Sequence, residues 1–378
     1  MLRGFHPRPI LVIAVVLVIG IQLVLADGGA LHQALQTPPI QLGTSGGNVN
    51  NISSAFCCSG TLGALVTKNG INYILSNNHV LADTDTGQIG DSISQPGLID
   101  VGCQASNAQI VANLSEAVPL GTGNVDAAIA QVNGSVDSSG AILDIGIPAS
   151  TPAPIDSSAI GRNVAKSGRT TGLRCASIGS ISTNVKVQYQ RGCNSGQKFF
   201  VIYTNQVVVS GSSFSAGGDS GSLIVTADTA EPIALLYAGS SSATIGNRTS
   251  DVGNALGISF VGGGTHAVTC PSGGGGGGPK PKPKGAHGAL SRAALERAIA
   301  AKEAHAYRLL ADPAILGLGV SASSEDPSEP VIVIYLEQGR AHGPIPSQLS
   351  GVRTEVIRTD AFRAYGWNEP DQRPCSAK

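Results

Sequence analysis

Charged residues are scarce in this chain of 378 residues, at 13% of the total, and the two signs nearly cancel to a formal net charge of -1. Proteins that bind nucleic acid carry clustered positive charge, so this balance argues against a nucleic-acid partner. Long helices rich in Lys and Glu are also lacking over most of the chain. Glycine is abundant instead, with 50 residues, which favours short strands joined by tight turns.

No helical period is sustained between residues 43 and 270. Apolar runs recur there at short intervals between turn residues, a pattern typical of β-sandwiches and barrels. The clearest hairpin has Asn69-Gly70 between two apolar runs, which is the strongest short hairpin signal. A stretch rich in Ser, Ala and Pro, residues 138–160, is interpreted as a connection between two β halves. Strands are predicted at residues 61–66, 71–75, 108–114, 125–132, 176–187, 199–209, 222–227, 233–238 and 257–261.

The N-terminus has the order of a secretory signal peptide. Positively charged residues precede an apolar run over residues 10–19, which resumes and ends on the small residue Ala26. We therefore expect a signal peptide over residues 1–26 and a short leader over residues 27–42. The alternative is an uncleaved membrane anchor, because the apolar stretch is near the lower length limit for crossing a bilayer. Under either interpretation, the rest of the chain is exported.

Export permits disulfides, and the seven cysteines leave at least one without an intramolecular partner. The first pairing predicted is Cys175 with Cys193, since both flank one stretch of strand pattern. The second is Cys103 with either Cys57 or Cys58. The cysteines are Cys57, Cys58, Cys103, Cys175, Cys193, Cys270 and Cys375.

The composition changes near the C-terminal end of the β region. Residues 271–288 contain six consecutive glycines followed by alternating Pro and Lys, which is typical of a linker. Beyond it, Ser291 is a predicted N-cap of a helix that runs to about Leu310. Strands are predicted at 315–321, 331–336 and 352–357. Residues 289–378 are thus expected to form a small α+β accessory domain, with cell-surface contact as one candidate role.

Three short segments of the β region, residues 43–270, carry the residue types of nucleophilic catalysis. His79 follows a predicted hairpin strand, Asp126 begins an apolar strand, and Ser220 stands among glycines before another. A serine hydroxyl needs a neighbouring base, imidazole has a suitable pKa, and the imidazole needs an acceptor that fixes its tautomer. His79 is the only histidine between residues 33 and 265, so this region offers a single candidate base.

Glycines around the serine let the backbone turn so that its N–H groups point outward. The N–H groups of Gly218 and Ser220 are therefore the predicted oxyanion-hole donors. Each residue also has an ordinary interpretation, since Gly, Asp and Ser dominate turns and a lone histidine is commonly a surface residue. The order His79, Asp126, Ser220, with the connection after the acid, favours the catalytic interpretation.

These motifs resemble a known class of protease. Residues 217–222, Gly-Gly-Asp-Ser-Gly-Ser, look like the nucleophile motif of chymotrypsin-fold serine peptidases, and residues 164–172 are similar to a segment of the streptogrisin and α-lytic proteases. Residues 76–81 and 125–130 resemble trypsin-like peptidases of the plant narrow-leaf type and their bacterial relatives. The likeness covers roughly residues 55–262. It implies a mainly β, two-barrel fold and a secreted serine endopeptidase acting on protein or peptide substrates.

The resemblance also implies roles for residues near the nucleophile. Lys166 stands where bacterial relatives have an arginine, which implies an ion pair with Asp219 that holds the oxyanion loop. The alternative is a solvated lysine. Val80 and Ala165 stand where those relatives have cysteines, so Cys58 and Cys175 must have other partners or none. The same resemblance implies no metal and no cofactor.

Substrate preference is implied only in part. In this fold the residue six before the nucleophile, Phe214 here, usually forms the floor of the main pocket. Ala238 and Gly239 would belong to the opposite wall. The absence of an acid at residue 214 argues against Arg/Lys specificity, so we expect a weak preference for apolar or small residues before the scissile bond.

Other functions remain open at this stage. One is an HtrA-like protease with a C-terminal binding module, although the motif Gly-Asp-Ser-Gly-Ser differs from the Gly-Asn-Ser-Gly-Gly of that group. Another is a catalytically inactive barrel used for binding, although all three triad residues are present. A structural cell-wall protein would explain the Gly and Pro-Lys segments, but not the spacing of the triad.

Overall fold

The computed structural model describes residues 30–54, 56–193, 196–271, 290–364 and 372–374, the last of these by backbone pairing only. The predicted signal peptide, nearly all of the predicted linker and Cys375 lie outside these residues. Among the residues described, no helix combines the length and the apolar character needed to cross a membrane.

Strands make up most of the ordered elements. The helices are α1 (Ala30–Gln33), α2 (Asn78–Leu81), α3 (Thr249–Leu256) and α4 (Arg292–Leu310). The strands are β1 (Thr44–Asn48), β2 (Phe56–Cys58), β3 (Gly60–Leu62), β4 (Ala64–Lys68), β5 (Ile71–Ser76), β6 (Ser92–Gln95), β7 (Gln109–Ala117), β8 (Ala128–Val132), β9 (Asn163–Lys166), β10 (Arg174–Gln190), β11 (Lys198–Ser210), β12 (Leu223–Thr226), β13 (Pro232–Gly239), β14 (Ala243–Arg248), β15 (Ser259–Phe260), β16 (Ile315–Ala322), β17 (Pro330–Glu337), β18 (Gln348–Leu349), β19 (Val352–Thr359) and β20 (Gln372–Pro374).

The first sheet curls into a barrel. Its strand order is β15-β4-β5-β8-β7-β6-β1-β3, and every pairing is antiparallel. Strand β3, at one end of this order, is separated only by Gly63 from β4, which lies next to the other end. The sheet therefore closes on itself. The predicted Asn-Gly hairpin is confirmed between β4 and β5, where Asn69 and Gly70 both have positive φ, at 53° and 78°.

The second sheet contains a closed ring of six antiparallel strands. The ring runs β10-β9-β12-β13-β14-β11, and a long β10–β11 pairing closes it. The Ser/Ala/Pro-rich stretch lies between β8 of the first barrel and β9 of the second, as expected. The predicted mainly β, two-barrel chymotrypsin-like fold is therefore confirmed.

Two helices of the barrel region, α2 and α3, are missing from the sequence interpretation. Helix α3 occupies Thr249–Leu256, where no helical pattern was expected, and that expectation is wrong. With only eight residues, the helix buries Val252 and Leu256 through two turns, too few for a visible period. Gly257 ends it in the left-handed conformation, with φ 63°.

The C-terminal unit continues the sheet of the second barrel. Strand β16 pairs with the 17-residue β10, with Ile181 opposite Val320 and Asn184 opposite Leu318. Strands β17, β19 and β18 follow outward, and α4 packs on β16 and β17. The predicted helix and all three predicted strands of this unit are confirmed, and the Ser291 hydroxyl accepts a bond from the Ala294 N–H at 3.2 Å as the N-cap.

Three disulfides join distant parts of the described chain. They are Cys57–Cys103, Cys58–Cys193 and Cys175–Cys270. The first is one of the two pairings left open for Cys103. The predicted Cys175–Cys193 pairing is wrong: Cys175 is bonded to Cys270 and Cys193 to Cys58, and the 17-residue strand β10 extends from one of these cysteines towards the other.

Replacing both Cys175 and Cys270 by serine should lower the free energy of unfolding by about 2–5 kcal/mol, because this bridge closes a loop with a sequence separation of 95. Urea unfolding under oxidising conditions measures the loss. The Ser324→Ala variant, which changes an exposed serine, is the control and should unfold at the wild-type midpoint. Equal midpoints for the double variant and the control would contradict a stabilising Cys175–Cys270 disulfide.

Candidate active site

His79 and Asp126 meet where two neighbouring strands of the first barrel end or begin. His79 lies in α2, directly after β5, and Asp126 lies two residues before β8. Since β5 and β8 are paired, with Ser76 opposite Ala128, the flanking residues lie side by side. His79 Nδ1 is 2.5 Å from Asp126 Oδ2, and both side chains are fully buried.

The backbone of Asp126 is hydrogen-bonded as well as its carboxylate. Its N–H donates to Asn247 Oδ1 at 2.9 Å, and its C=O accepts from Asn77 Nδ2 at 2.8 Å. Oδ1 accepts the His79 backbone N–H at 3.3 Å. Because Asn247 belongs to the second barrel, the position of the acid depends on both barrels.

Tyr189 is a further partner of the acid. Its hydroxyl donates to Asp126 Oδ2 at 2.8 Å, and its ring lies edge-on to the His79 ring with centroids 6.1 Å apart. Burial raises the pKa of Tyr189 well above 10, and the Asp126 charge adds to that shift, so the hydroxyl stays protonated as a donor. Sequence reasoning missed Tyr189 because it lies on β10, in the other barrel and 63 residues from the acid.

The turn that carries Ser220, residues 217–221, is anchored on the first barrel. The Thr61 N–H donates to the Ser220 C=O at 2.8 Å, and the Thr61 hydroxyl donates to the Gly218 C=O at 3.0 Å. Gly218 and Gly221 have φ of 92° and 95°, in the left-handed region that favours glycine. A Cβ on Gly221 would lie 2.1 Å from Ser76 Oγ, so no other residue fits this approach.

Ser220 lies close to the segment that carries His79. A Cβ on Gly60 would lie 2.6 Å from the side chain of Val80, the residue after the histidine, and 2.8 Å from the Ser220 C=O. In the part of the chain that the structure describes, the N–H groups of Gly218 and Ser220 donate to no protein acceptor. The Ser220 hydroxyl itself donates to the C=O of Ala364, in the C-terminal segment, at 3.1 Å.

The expected ion pair between Lys166 and Asp219 is present. Nζ and Oδ2 are 3.0 Å apart, and both side chains are fully buried. The carboxylate also accepts from the Thr170 N–H at 2.9 Å, the Thr171 hydroxyl at 2.7 Å and the Ala216 N–H at 3.0 Å. Burial alone would raise the pKa of Asp219, but Lys166, the Thr171 hydroxyl and the Ala216 N–H outweigh it and hold the pKa below the ordinary value of 3.8.

The residues predicted for the substrate pocket separate into two places. Phe214 is 1% exposed and packs in the core of the second barrel with Val209 and Ile224. Ala238 is fully buried, and Gly239 pairs with Arg363 of the C-terminal segment. Within the described residues, no group of three or more His, Cys, Asp or Glu side chains is arranged to hold a metal ion.

Comparison with known proteins gives structural likenesses only. No protein-family model matches the chain, and no curated protein matches it. A glutamic acid specific serine protease is 20% identical with a TM-score of 0.40, covering 58% of this chain and 100% of its own. Nocardiopsis protease (NAPase) is 16% identical with a TM-score of 0.37, covering 57% and 97%. An alpha-lytic protease homolog, N4, is 18% identical with a TM-score of 0.35, covering 53% and 91%.

Replacing Lys166 by Met should lower the free energy of unfolding at neutral pH by about 3–5 kcal/mol, because the Asp219 carboxylate then stays buried without its cation. The pKa of Asp219 is lowered in the native state, so the pair stabilises the protein above the ordinary value of 3.8. That contribution disappears as pH falls through the native pKa. The deficit of the variant should therefore shrink below about pH 4, as measured by urea unfolding at several pH values.

The matched control is Lys198→Met, which removes an exposed lysine from β11 and should change stability by less than about 0.5 kcal/mol. A Lys166→Met deficit that is small, or that is the same at pH 7 and pH 3, would contradict a stabilising role of the ion pair.

Proposed function

We propose that this chain is a serine endopeptidase with Ser220 as nucleophile, His79 as general base and Asp126 as the acid that orients the imidazole. The observation that carries the proposal is the fully buried His79–Asp126 contact of 2.5 Å beside the glycine-flanked turn of Ser220. A turn, a surface histidine and a strand-end acid that were unrelated would have no reason to converge between two barrels.

In the proposed reaction Ser220 Oγ attacks the scissile carbonyl carbon while His79 Nε2 takes the hydroxyl proton. Asp126 accepts the Nδ1 proton in a hydrogen bond, which stabilises the imidazolium. The Gly218 and Ser220 N–H groups hold the developing oxyanion. His79 then gives its proton to the leaving amine, which yields an acyl-enzyme, and a water activated by His79 releases the carboxylic acid.

The proposal also covers the compartment in which the protein acts and the proteases to which it is related. Three disulfides among the described residues favour an oxidising compartment outside the cytoplasm, and the N-terminal apolar segment would supply export. Protein or peptide substrates follow from the proposed chemistry. The likeness of residues 76–81 and 125–130 to narrow-leaf type peptidases belongs to the same proposal.

Prolonged incubation with a fluorophosphonate should modify Ser220, because only a serine beside a base reacts readily with this probe. Peptide mapping by mass spectrometry identifies the modified residue. Ser220→Ala should abolish both labelling and peptide hydrolysis, whereas Ser250→Ala, which changes an exposed serine of α3, should keep both. Labelling of another serine, or none at all, would favour the inactive binding barrel.

Replacing Tyr189 by Phe should lower kcat about tenfold and leave KM unchanged, because it removes one hydrogen bond to the charged Asp126 without moving the carboxylate. This is far below the ~10⁴ loss expected for Asp126→Asn, the value known for the equivalent change in trypsin. Tyr203→Phe is the control. The Tyr203 hydroxyl is bonded to the Tyr189 hydroxyl rather than to Asp126, so its removal should have a smaller effect on kcat. An unchanged kcat for Tyr189→Phe would mean that Tyr189 does not position the acid.

A further inference from the structure

After β19, the chain leaves the C-terminal unit and crosses the second barrel towards the candidate nucleophile. The Thr359 hydroxyl donates to Ser240 Oγ at 2.7 Å, and the Asp360 carboxylate accepts the Ser241 N–H at 2.9 Å. These contacts fix the start of residues 361–364, which we name the tail strand.

The tail strand makes main-chain hydrogen bonds on both edges. On one edge, Arg363 and Gly239 exchange two bonds, each of 3.0 Å, in an antiparallel bridge. On the other, the Gln188 N–H donates to the Phe362 C=O at 2.9 Å, and the Ala364 N–H donates to the Gln188 C=O at 3.1 Å. Pairing of an extended segment with exposed strand edges is a recurring mode of peptide recognition. The chain's own segment is thus bound as an extended peptide would be.

Side chains of the tail strand alternate between the interior and solvent. Phe362 and Ala364 are fully buried, while Arg363 is exposed. The Phe362 ring lies edge-on to Tyr335 of the C-terminal unit, with centroids 5.6 Å apart, in the same apolar cluster as Tyr189. The tail strand therefore has an aromatic anchor in the same apolar cluster as the residue that contacts Asp126.

The end of the tail strand contacts the nucleophile. The Ser220 hydroxyl donates to the Ala364 C=O at 3.1 Å. A hydroxyl has one proton, so while Ser220 donates to Ala364 it does not donate to His79. Among the described residues, neither the Gly218 nor the Ser220 N–H donates to the Ala364 C=O, so the carbonyl is not held as the oxyanion would be. The tail strand is thus bound at the candidate nucleophile, but its carbonyl is not polarised by the predicted oxyanion donors.

A second attachment lies further along the chain. Strand β20 pairs antiparallel with β2, with Cys57 opposite Arg373 and Cys58 opposite Gln372. Cys58 is joined to Cys193 by a disulfide, so this attachment is made to a covalently tied part of the barrels. The C-terminal segment is thus bound at two places.

We infer that the tail strand is an intramolecular, substrate-like inhibitor of the proposed protease. The inference rests on the proposed function and adds to it the occupant of the cleft, an extended segment of the same chain. Because the occupant is covalently linked, its effective concentration is of the order of mM, and dilute external peptides compete poorly with it. Activity then requires that the tail strand be displaced or removed.

The test compares full-length variants in their rate of fluorophosphonate labelling at Ser220 and their rate of peptide hydrolysis. Phe362→Ala removes the aromatic anchor, and Arg363→Pro removes the N–H that donates to Gly239. Both should raise the two rates by about tenfold or more. Arg363→Ala is the matched control, because it changes an exposed side chain and keeps the backbone bonds, so its rates should stay within about twofold of wild type.

A second measurement supplies the tail strand in trans. A synthetic amidated peptide with the sequence of residues 359–364, Thr-Asp-Ala-Phe-Arg-Ala, should slow the labelling of the Phe362→Ala variant, and a scrambled peptide should not. This measurement does not depend on the folding of the proline variant. Far-UV circular dichroism confirms that each protein compared is folded.

The outcomes separate the inference from the proposed function. If wild type and both releasing variants label Ser220 at one rate, the inference is wrong and the proposed function stands. If Arg363→Ala is as fast as Arg363→Pro, backbone pairing does not hold the tail strand, which also contradicts the inference. If no variant is labelled after prolonged incubation, the proposed function fails and the inference fails with it.

Discussion

The geometry of the candidate site depends on how closely the turn that carries Ser220 approaches the first barrel. The Thr61 N–H bonds the Ser220 C=O, and a Cβ on Gly63 would lie only 1.9 Å from the Gly221 C=O. Gly63 is also the single residue between β3 and β4. The same glycine therefore lies where the first barrel closes and where the turn of Ser220 packs against it. This contact sets how near Ser220, of the second barrel, lies to the segment of the first barrel that carries His79.

Buried charge reinforces that contact from the other side. Asp219, next to Ser220, forms an ion pair with Lys166. Arg169 forms two bonds to Asp100, at 2.7 and 2.6 Å, and its backbone N–H donates to the Thr61 hydroxyl at 3.0 Å. Burying ions is costly, so such pairs are weak evidence for stability alone. Here they lie around one turn and fix its backbone, which is consistent with a role in specifying the conformation of the site.

The sequence was informative where the signal was local. Asn69-Gly70 predicted its hairpin, Ser291 predicted the start of α4, and the motifs predicted that His79 and Asp126 would meet. It was uninformative where distant segments converge. The Cys175–Cys270 bridge, the Tyr189 hydroxyl on Asp126 and the pairing of the tail strand all join residues far apart in the chain, and no spacing or composition marks them. Helix α3 was missed because two turns are too short for a period.

The sharing of β10 between the second barrel and the C-terminal unit has a consequence for dissecting the protein. Ile181 and Val185 on this strand are buried, and both pair with β16. A fragment ending at residue 270 would leave this stretch as an open, apolar sheet edge, with main-chain donors and acceptors facing water. Such edges recruit strands from other molecules. An isolated barrel pair would therefore tend to self-associate, and its insolubility would reflect a lost neighbour rather than a failure of the barrels to fold.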